Sequence, residues 1–250
     1  MSKSSIIIEE TNLSVAWCKT VNNILSSSGT NEITPLLISL TGFDENEEVR
    51  QTLDKSLKKN GQNPITTVAE TIFPDSLYRY LDEDRFELYK EYTKNLPRIM
   101  KIDQSNRKGT YFGRLISYGN ESGVNQLEII ISSVNKIDGV KRRSKLQASV
   151  FDPTLDHINS AYQGFPCLQH VTFYKSDTGG IILNSFYAIQ LLYRKAYGNW
   201  LGLVNLGKFI AKETGCELDQ VNCFIGIEKL EIAKSEAKKL LEETELELSI

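Results

Sequence analysis

Two histidines, two methionines, two tryptophans and four cysteines are all that 250 residues contain of these types. The cysteines, Cys18, Cys167, Cys216 and Cys223, show no CxxC spacing and no histidine-rich company. That pattern argues against a zinc site, and in a chain of this length against a disulfide framework. Cys18, Cys216 and Cys223 are expected to be buried packing residues. No apolar run near the N-terminus reaches the length of a signal peptide or a membrane span, so the expected setting is reducing and cytoplasmic, with no membrane partner. Charge of neither sign dominates: 29 Lys and Arg stand against 32 Asp and Glu, a net charge of −3. Such a chain has no global basic field and gives no clear nucleic-acid signal. Internal repeats and low-complexity segments are also missing.

What is there is ordinary globular material, 40% hydrophobic and 24% charged. Residues 1–250 are long enough to bury a core, and they are expected to form a single domain. Ile6-Ile7-Ile8 reads as a strand. Residues 12–28 read as a helix, with Leu13, Trp17, Val21 and Ile24 near helical spacing. A strand is expected at 36–40 and a charge-rich helix at 46–59, stopped by Gly61. Pro74 breaks any helix before it, and a new turn opens near Asp75. Residues 85–92 read as helical. Residues 95–108 read as a loop, because Pro97, Asn106 and Gly109 punctuate them. Tyr111 and Phe112 lie between Gly109 and Gly113. Residues 125–134 fit a strand by propensity and a helix by spacing, and the residues alone leave both open.

Further on, 146–151 alternates as a strand, closed by Asp152-Pro153. Residues 171–174 and 181–192 read as strands about a Gly179-Gly180 turn. A helix opens at Gly198-Asn199 and stops at Gly215. Residues 221–227 read as a strand. Residues 228–246 read as an amphipathic helix, with Leu230, Ala233, Ala237, Leu240 and Leu241 as its stripe.

Several motifs carry a resemblance in their order. They are Tyr111-Phe112-Gly113-Arg114, Asn125-Gln126-Leu127, Arg142-Arg143, Val150-Phe151-Asp152-Pro153, Pro166-Cys167-Leu168-Gln169 and Gly198-Asn199. Over about half the chain this order resembles the thymidylate synthase and pyrimidine hydroxymethylase superfamily, as a divergent member. Pro166-Cys167 is the most specific match. The resemblance implies an α+β fold: a mixed twisted sheet with helices on one face, the other face pairing in a homodimer. It also tips 125–134 towards helix.

By resemblance, Cys167 is the nucleophile. Its thiolate would add to C6 of a pyrimidine nucleotide or related heterocycle, making C5 attack a one-carbon unit from 5,10-methylenetetrahydrofolate. That chemistry is a methyl or hydroxymethyl transfer of nucleotide biosynthesis. A thiolate of this kind needs nearby cationic groups. Asn199 would read the base, since an amide offers both a donor and an acceptor; it would also suit a helix N-cap. Gln169 belongs to the same motif. Arg142, Arg143 and Arg114 would bind substrate, the arginine pair reaching a phosphate across the dimer. A surface basic pair is the plainer alternative for Arg142-Arg143.

The departures point the other way. Ala188-Ile189 stands where the family has the phosphate-binding Arg-Ser, and Arg194 lies six residues on. Leu191 replaces the folate-contacting aspartate. Glu228-x-Leu230 replaces the sugar-gripping His-x-Tyr, and the closing segment of the family is not recognisable. Glu228 could serve as an acid or base if it lined the pocket; exposure at a strand–helix junction is the blander reading. His170, three residues after Cys167 on a strand, should face away from it, and His157 has no clear partner. The alternative to the enzyme is a protein of the same fold that binds nucleotides or acts as a scaffold without catalysis.

Overall fold

The computed structural model describes residues 5–103, 106–119, 123–136, 140–159 and 166–244; Phe165 and the closing segment 245–250 lie outside them. β1 (Ile6–Asn12) runs straight into α1 (Leu13–Ser26). Asn12 makes the junction: its Oδ1 accepts from the N–H groups of Ser14 and Val15, taking up orphan donors of the first turn. Leu13, Trp17, Val21 and Ile24 of α1 are buried. β2 (Glu32–Ile33) and β3 (Leu36–Asp44) follow. α2 (Glu47–Lys59) is capped by Asn46, with acids in its first turn and lysines in its last, complementing the helix dipole. Gly61, with φ +64°, stops it.

Two short helices, α3 (Ile65–Glu70) and α4 (Asp75–Tyr80), flank Pro74. The loop expected at 95–108 is mostly helix, because α5 (Arg85–Ile102) continues through Pro97. Proline removes one backbone hydrogen bond, but Leu88, Tyr92, Leu96 and Ile99 keep helical spacing and pack on the core, and that burial outweighs the loss. α6 (Tyr111–Ile116) is capped by Thr110, whose Oγ1 accepts from Gly113 N–H at 3.0 Å. α7 (Gln126–Val134) is a helix capped by Asn125. β4 (Gln147–Ser149) and the single turn α8 (Pro153–Asp156) lead towards β5 (Leu168–Lys175).

β5 and β6 (Ile181–Leu191) form the antiparallel hairpin expected about Gly179-Gly180. A π turn, Leu192–Ala196, then feeds α9 (Tyr197–Glu213), so the helix begins before Asn199 and Asn199 is not its N-cap. Gly198 and Gly202 seat α9 on α3. A Cβ on Gly198 would stand 2.6 Å from Val68 Cβ, and one on Gly202 2.8 Å from the Ala69 carbonyl. The helix expected at 228–246 is also corrected. β7 (Leu218–Lys229) carries Glu228 in the sheet, and α10 (Lys234–Glu242) starts later. Glu228 pairs in the ladders with both Gln190 and Ile33, and those backbone bonds decide against helix.

The sheet is mixed, in the order β1-β3-β7-β6-β5-β4, with β2 paired to β7. β1–β3 and β6–β7 are parallel and the other pairs antiparallel. Inward residues of β6 and β7, Leu183, Tyr187, Val221 and Ile225 among them, enter the core with α1 and α9. Their neighbours Phe186 and Phe224 are 41% and 40% exposed on the opposite face. The alternation then changes phase in both strands at once. Tyr187 and Ile225 are partners and buried; three residues on, Gln190 and Glu228 are partners and also buried. At this kink a Cβ on Gly226 would lie 2.8 Å from the Ala188 carbonyl. The kink turns Gln190 and Glu228 inward, where strict alternation would point them out.

Candidate active site at Cys167

The kink, α3 and the start of α9 enclose a cavity of about 200 Å³, lined by Cys167, Asn199, Lys195, Tyr111, Gln190, Leu191, Thr71 and Asp103 among others. Cys167 sits just before β5. Its carbonyl accepts from Ala188 N–H at 3.1 Å, which ties it to β6. Gln169 braces the same turn from within the chain: its Nε2 donates to the carbonyls of Pro166 and Cys167 at 2.7 and 3.3 Å. The Tyr111 hydroxyl is hydrogen-bonded to the backbone of Cys167 and Leu168. The thiol is therefore presented by a fixed backbone.

Asn199 lies in the first turn of α9 and is 4% exposed. No hydrogen bond among the described residues takes up its amide, so it keeps a donor and an acceptor for the cavity. Lys195 stands one helical turn before it and lines the same space. Burial pushes the Cys167 thiol up, and the Lys195 charge acts against that. Burial likewise pulls Lys195 down, while Asp103, Cys167 and Glu231 hold it up. Both directions follow from the cost of charge in a poorly solvated cleft.

The six candidate site residues divide evenly. Cys167 and Asn199 meet in the cavity, with Gln169 behind Cys167. Arg114 is instead committed to a buried pair: its Nη1 and Nη2 reach Asp156 Oδ2 and Oδ1 at 2.6 and 2.8 Å, and Nη1 also donates to the Val150 carbonyl. Arg142 and Arg143 are exposed beside β5, where the Arg143 guanidinium lies 5.9 Å from the centre of the Tyr174 ring. Arg194 does not line the cavity either. It pairs with Glu231, whose carboxylate also accepts from the N–H groups of Tyr193 and Arg194 in the π turn. Lys195 is thus the cation that the sequence reading missed. In sequence Arg194 and Lys195 are adjacent, and nothing local chooses between them.

His170 is in register with Phe186, on the sheet face away from the core; burial lowers its pKa. His157 packs edge-on to Phe151, 5.1 Å between ring centres. Neither lines the cavity. Glu228 corrects the expectation of exposure: it is fully buried, and both carboxylate oxygens are without a hydrogen-bond partner. Its pKa is raised well above the usual carboxylate value by burial. The Gln190 amide nitrogen and the Tyr187 hydroxyl are also unpartnered, while Gln190 Oε1 accepts from Trp200 Nε1 at 3.0 Å.

No family model matches the chain, and no curated protein matches it. Among the described residues there is no cluster of His, Cys, Asp and Glu that could hold a metal ion. No helix among them is long and apolar enough to cross a membrane.

Proposed function

We propose that the cavity takes a pyrimidine nucleotide or a related heterocycle, and that Cys167 adds to its ring carbon for a one-carbon transfer of the thymidylate-synthase type. The observation that carries this reading is the meeting of Cys167 and Asn199, 32 positions apart in sequence, on one cavity. The thiolate supplies the electron pair of the new S–C6 bond, and the ring double bond shifts its pair towards C5 and the conjugated carbonyl. Asn199, with an unspent amide, suits the carbonyl and N–H edge of a pyrimidine. A volume near 200 Å³ suits a heterocycle with part of its sugar. The reading is tested by covalent trapping of Cys167 with a C5-fluorinated pyrimidine.

5,10-Methylenetetrahydrofolate is the one-carbon donor that the resemblance implies. Leu191 lines the cavity with no acceptor where the family places an aspartate, so that contact does not fit, and the reading rests on Cys167 and Asn199. The same misfit, with a thiol pushed up by burial, favours a second reading: a nucleotide-binding protein of this fold without catalysis.

A homodimer through the uncovered sheet face belongs to the proposal. Phe186 and Phe224 stack there, with ring centres 5.5 Å apart and planes at 15°. Beside them runs a ladder of side-chain hydrogen bonds, Thr172–Asn184–Asn222–Gln220–Ser39. In that dimer Arg142 and Arg143 would reach the phosphate of the neighbouring subunit's ligand. Phe224→Asp buries a charge at the centre of the face and is expected to convert a dimer to monomer in sedimentation velocity. A native protein that sediments as a monomer at all concentrations removes the dimer.

A further inference from the structure

Activation of Cys167 is unassigned once Ala188 replaces the arginine of the family and Arg194 is held by Glu231. A nucleophilic thiol half enclosed by protein needs a cation beside it, because burial alone keeps it protonated. One cation lines the cavity among the described residues: Lys195. It is placed by the π turn Leu192–Ala196. That turn is fixed from outside by Glu231 on two backbone N–H groups and from inside by Trp17, whose Nε1 donates to the Leu192 carbonyl at 3.0 Å. We propose that Lys195 is the catalytic cation of this site, placed on the same cavity to stabilise the Cys167 thiolate as it forms, in place of the missing arginine.

Asp103 and Glu231 favour the charge of Lys195, Arg194 opposes it, and Cys167 is its partner. The interaction is reciprocal, since Lys195 is the influence that lowers the Cys167 thiol against its burial. In the step itself the S–H bond breaks and its proton passes to solvent. The ammonium keeps its own protons, and the thiolate pair forms the S–C bond. Lysine differs from arginine in one consequence: a buried ammonium can lose its proton, so the counter-ion of this thiolate can itself be titrated away at high pH.

The inference rests on the proposed reading of Cys167, but its test does not need a pyrimidine. Alkylation of Cys167 by iodoacetamide is followed by peptide mass spectrometry from pH 6 to 10 in the native protein and in Lys195→Met and Lys195→Arg, with Cys167→Ala as the blank. Lys195→Met is expected to raise the apparent thiol pKa by at least one unit and to slow alkylation at pH 8 about tenfold. Lys195→Arg, which keeps the charge, is expected to alkylate at least as fast as native at that pH. Circular dichroism and thermal melting establish that each variant is folded, and Lys195→Gln replaces Lys195→Met if that variant is not. A neutral variant with the native pH profile overturns the role of Lys195. Failure of fluoropyrimidine trapping with Lys195-dependent alkylation would overturn the pyrimidine reading alone.

Discussion

Arg114→Met is expected to destabilise the protein by about 3–5 kcal/mol. The guanidinium spans both oxygens of Asp156, and Asp156 is fully buried. Asp156 also accepts from the N–H of Asp152 at 2.8 Å, so the pair ties α6 to the segment that closes β4. A bidentate, enclosed pair of this geometry does not add much over an apolar isostere, but breaking it strands a charge where water cannot reach. The double variant Arg114→Met/Asp156→Leu should therefore recover most of the loss. Urea unfolding of the three variants measures both effects. A loss below about 1 kcal/mol for Arg114→Met would mean that the pair behaves as an exposed one, and that Arg114 is available for a ligand after all.

The second large effect is a pH dependence that belongs to Glu228. Its folded pKa is raised by burial, so the native state holds a proton that the unfolded chain gives up above about pH 4.5. Between these two pKa values the native state binds more protons, and stability falls as pH rises. The contribution is full below the unfolded value and is lost towards the folded one, at about 1.4 kcal/mol per pH unit. Glu228→Gln keeps the shape and removes the titration. Other carboxylates titrate in both proteins, so the informative quantity is the difference between the two stability curves. Above the unfolded value the variant is expected to gain stability on the native protein as pH rises. Parallel curves would show that Glu228 is solvated or paired in solution.

Local signals were legible where a side chain acts on its own neighbours. Asn12, Asn46 and Asn125 cap the helices that their positions imply, and Gly61 and Gly215 follow the ends of α2 and α9 at positive φ. The Gly179-Gly180 hairpin is likewise local. Effects set by distant partners were not legible. Pro97 stays in a helix because Leu96 and Ile99 have a core to pack on. Gly198 reads as a helix opening, but its need to be glycine comes from Val68 of α3 standing against it. Glu228 reads as a helix start in a charged stretch, yet it is in the sheet, because β6 and β2 flank it. In the cavity, Cys167 and Asn199 were found from motif order, and Lys195 was hidden because the choice between Arg194 and Lys195 depends on which of them Glu231 holds. The kink at Ala188 and Gly226 needs both strands at once, and neither strand's residues alone encode it.

Cys167 is proposed to form a covalent bond to a pyrimidine. The direct measurement is intact mass after incubation with 5-fluoropyrimidine nucleosides and nucleotides, with and without 5,10-methylenetetrahydrofolate, beside Cys167→Ala. Fluorine cannot leave C5 as a cation, so an adduct that has taken up the one-carbon unit at C5 persists, whereas a plain C6 adduct can still expel the thiolate. The expected result is a mass increase of one pyrimidine per chain, together with the folate where that is supplied, absent in Cys167→Ala and diminished in Asn199→Ala. A folded native protein whose mass is unchanged across the whole panel would contradict the account and leave the non-catalytic binding protein as the reading of this site.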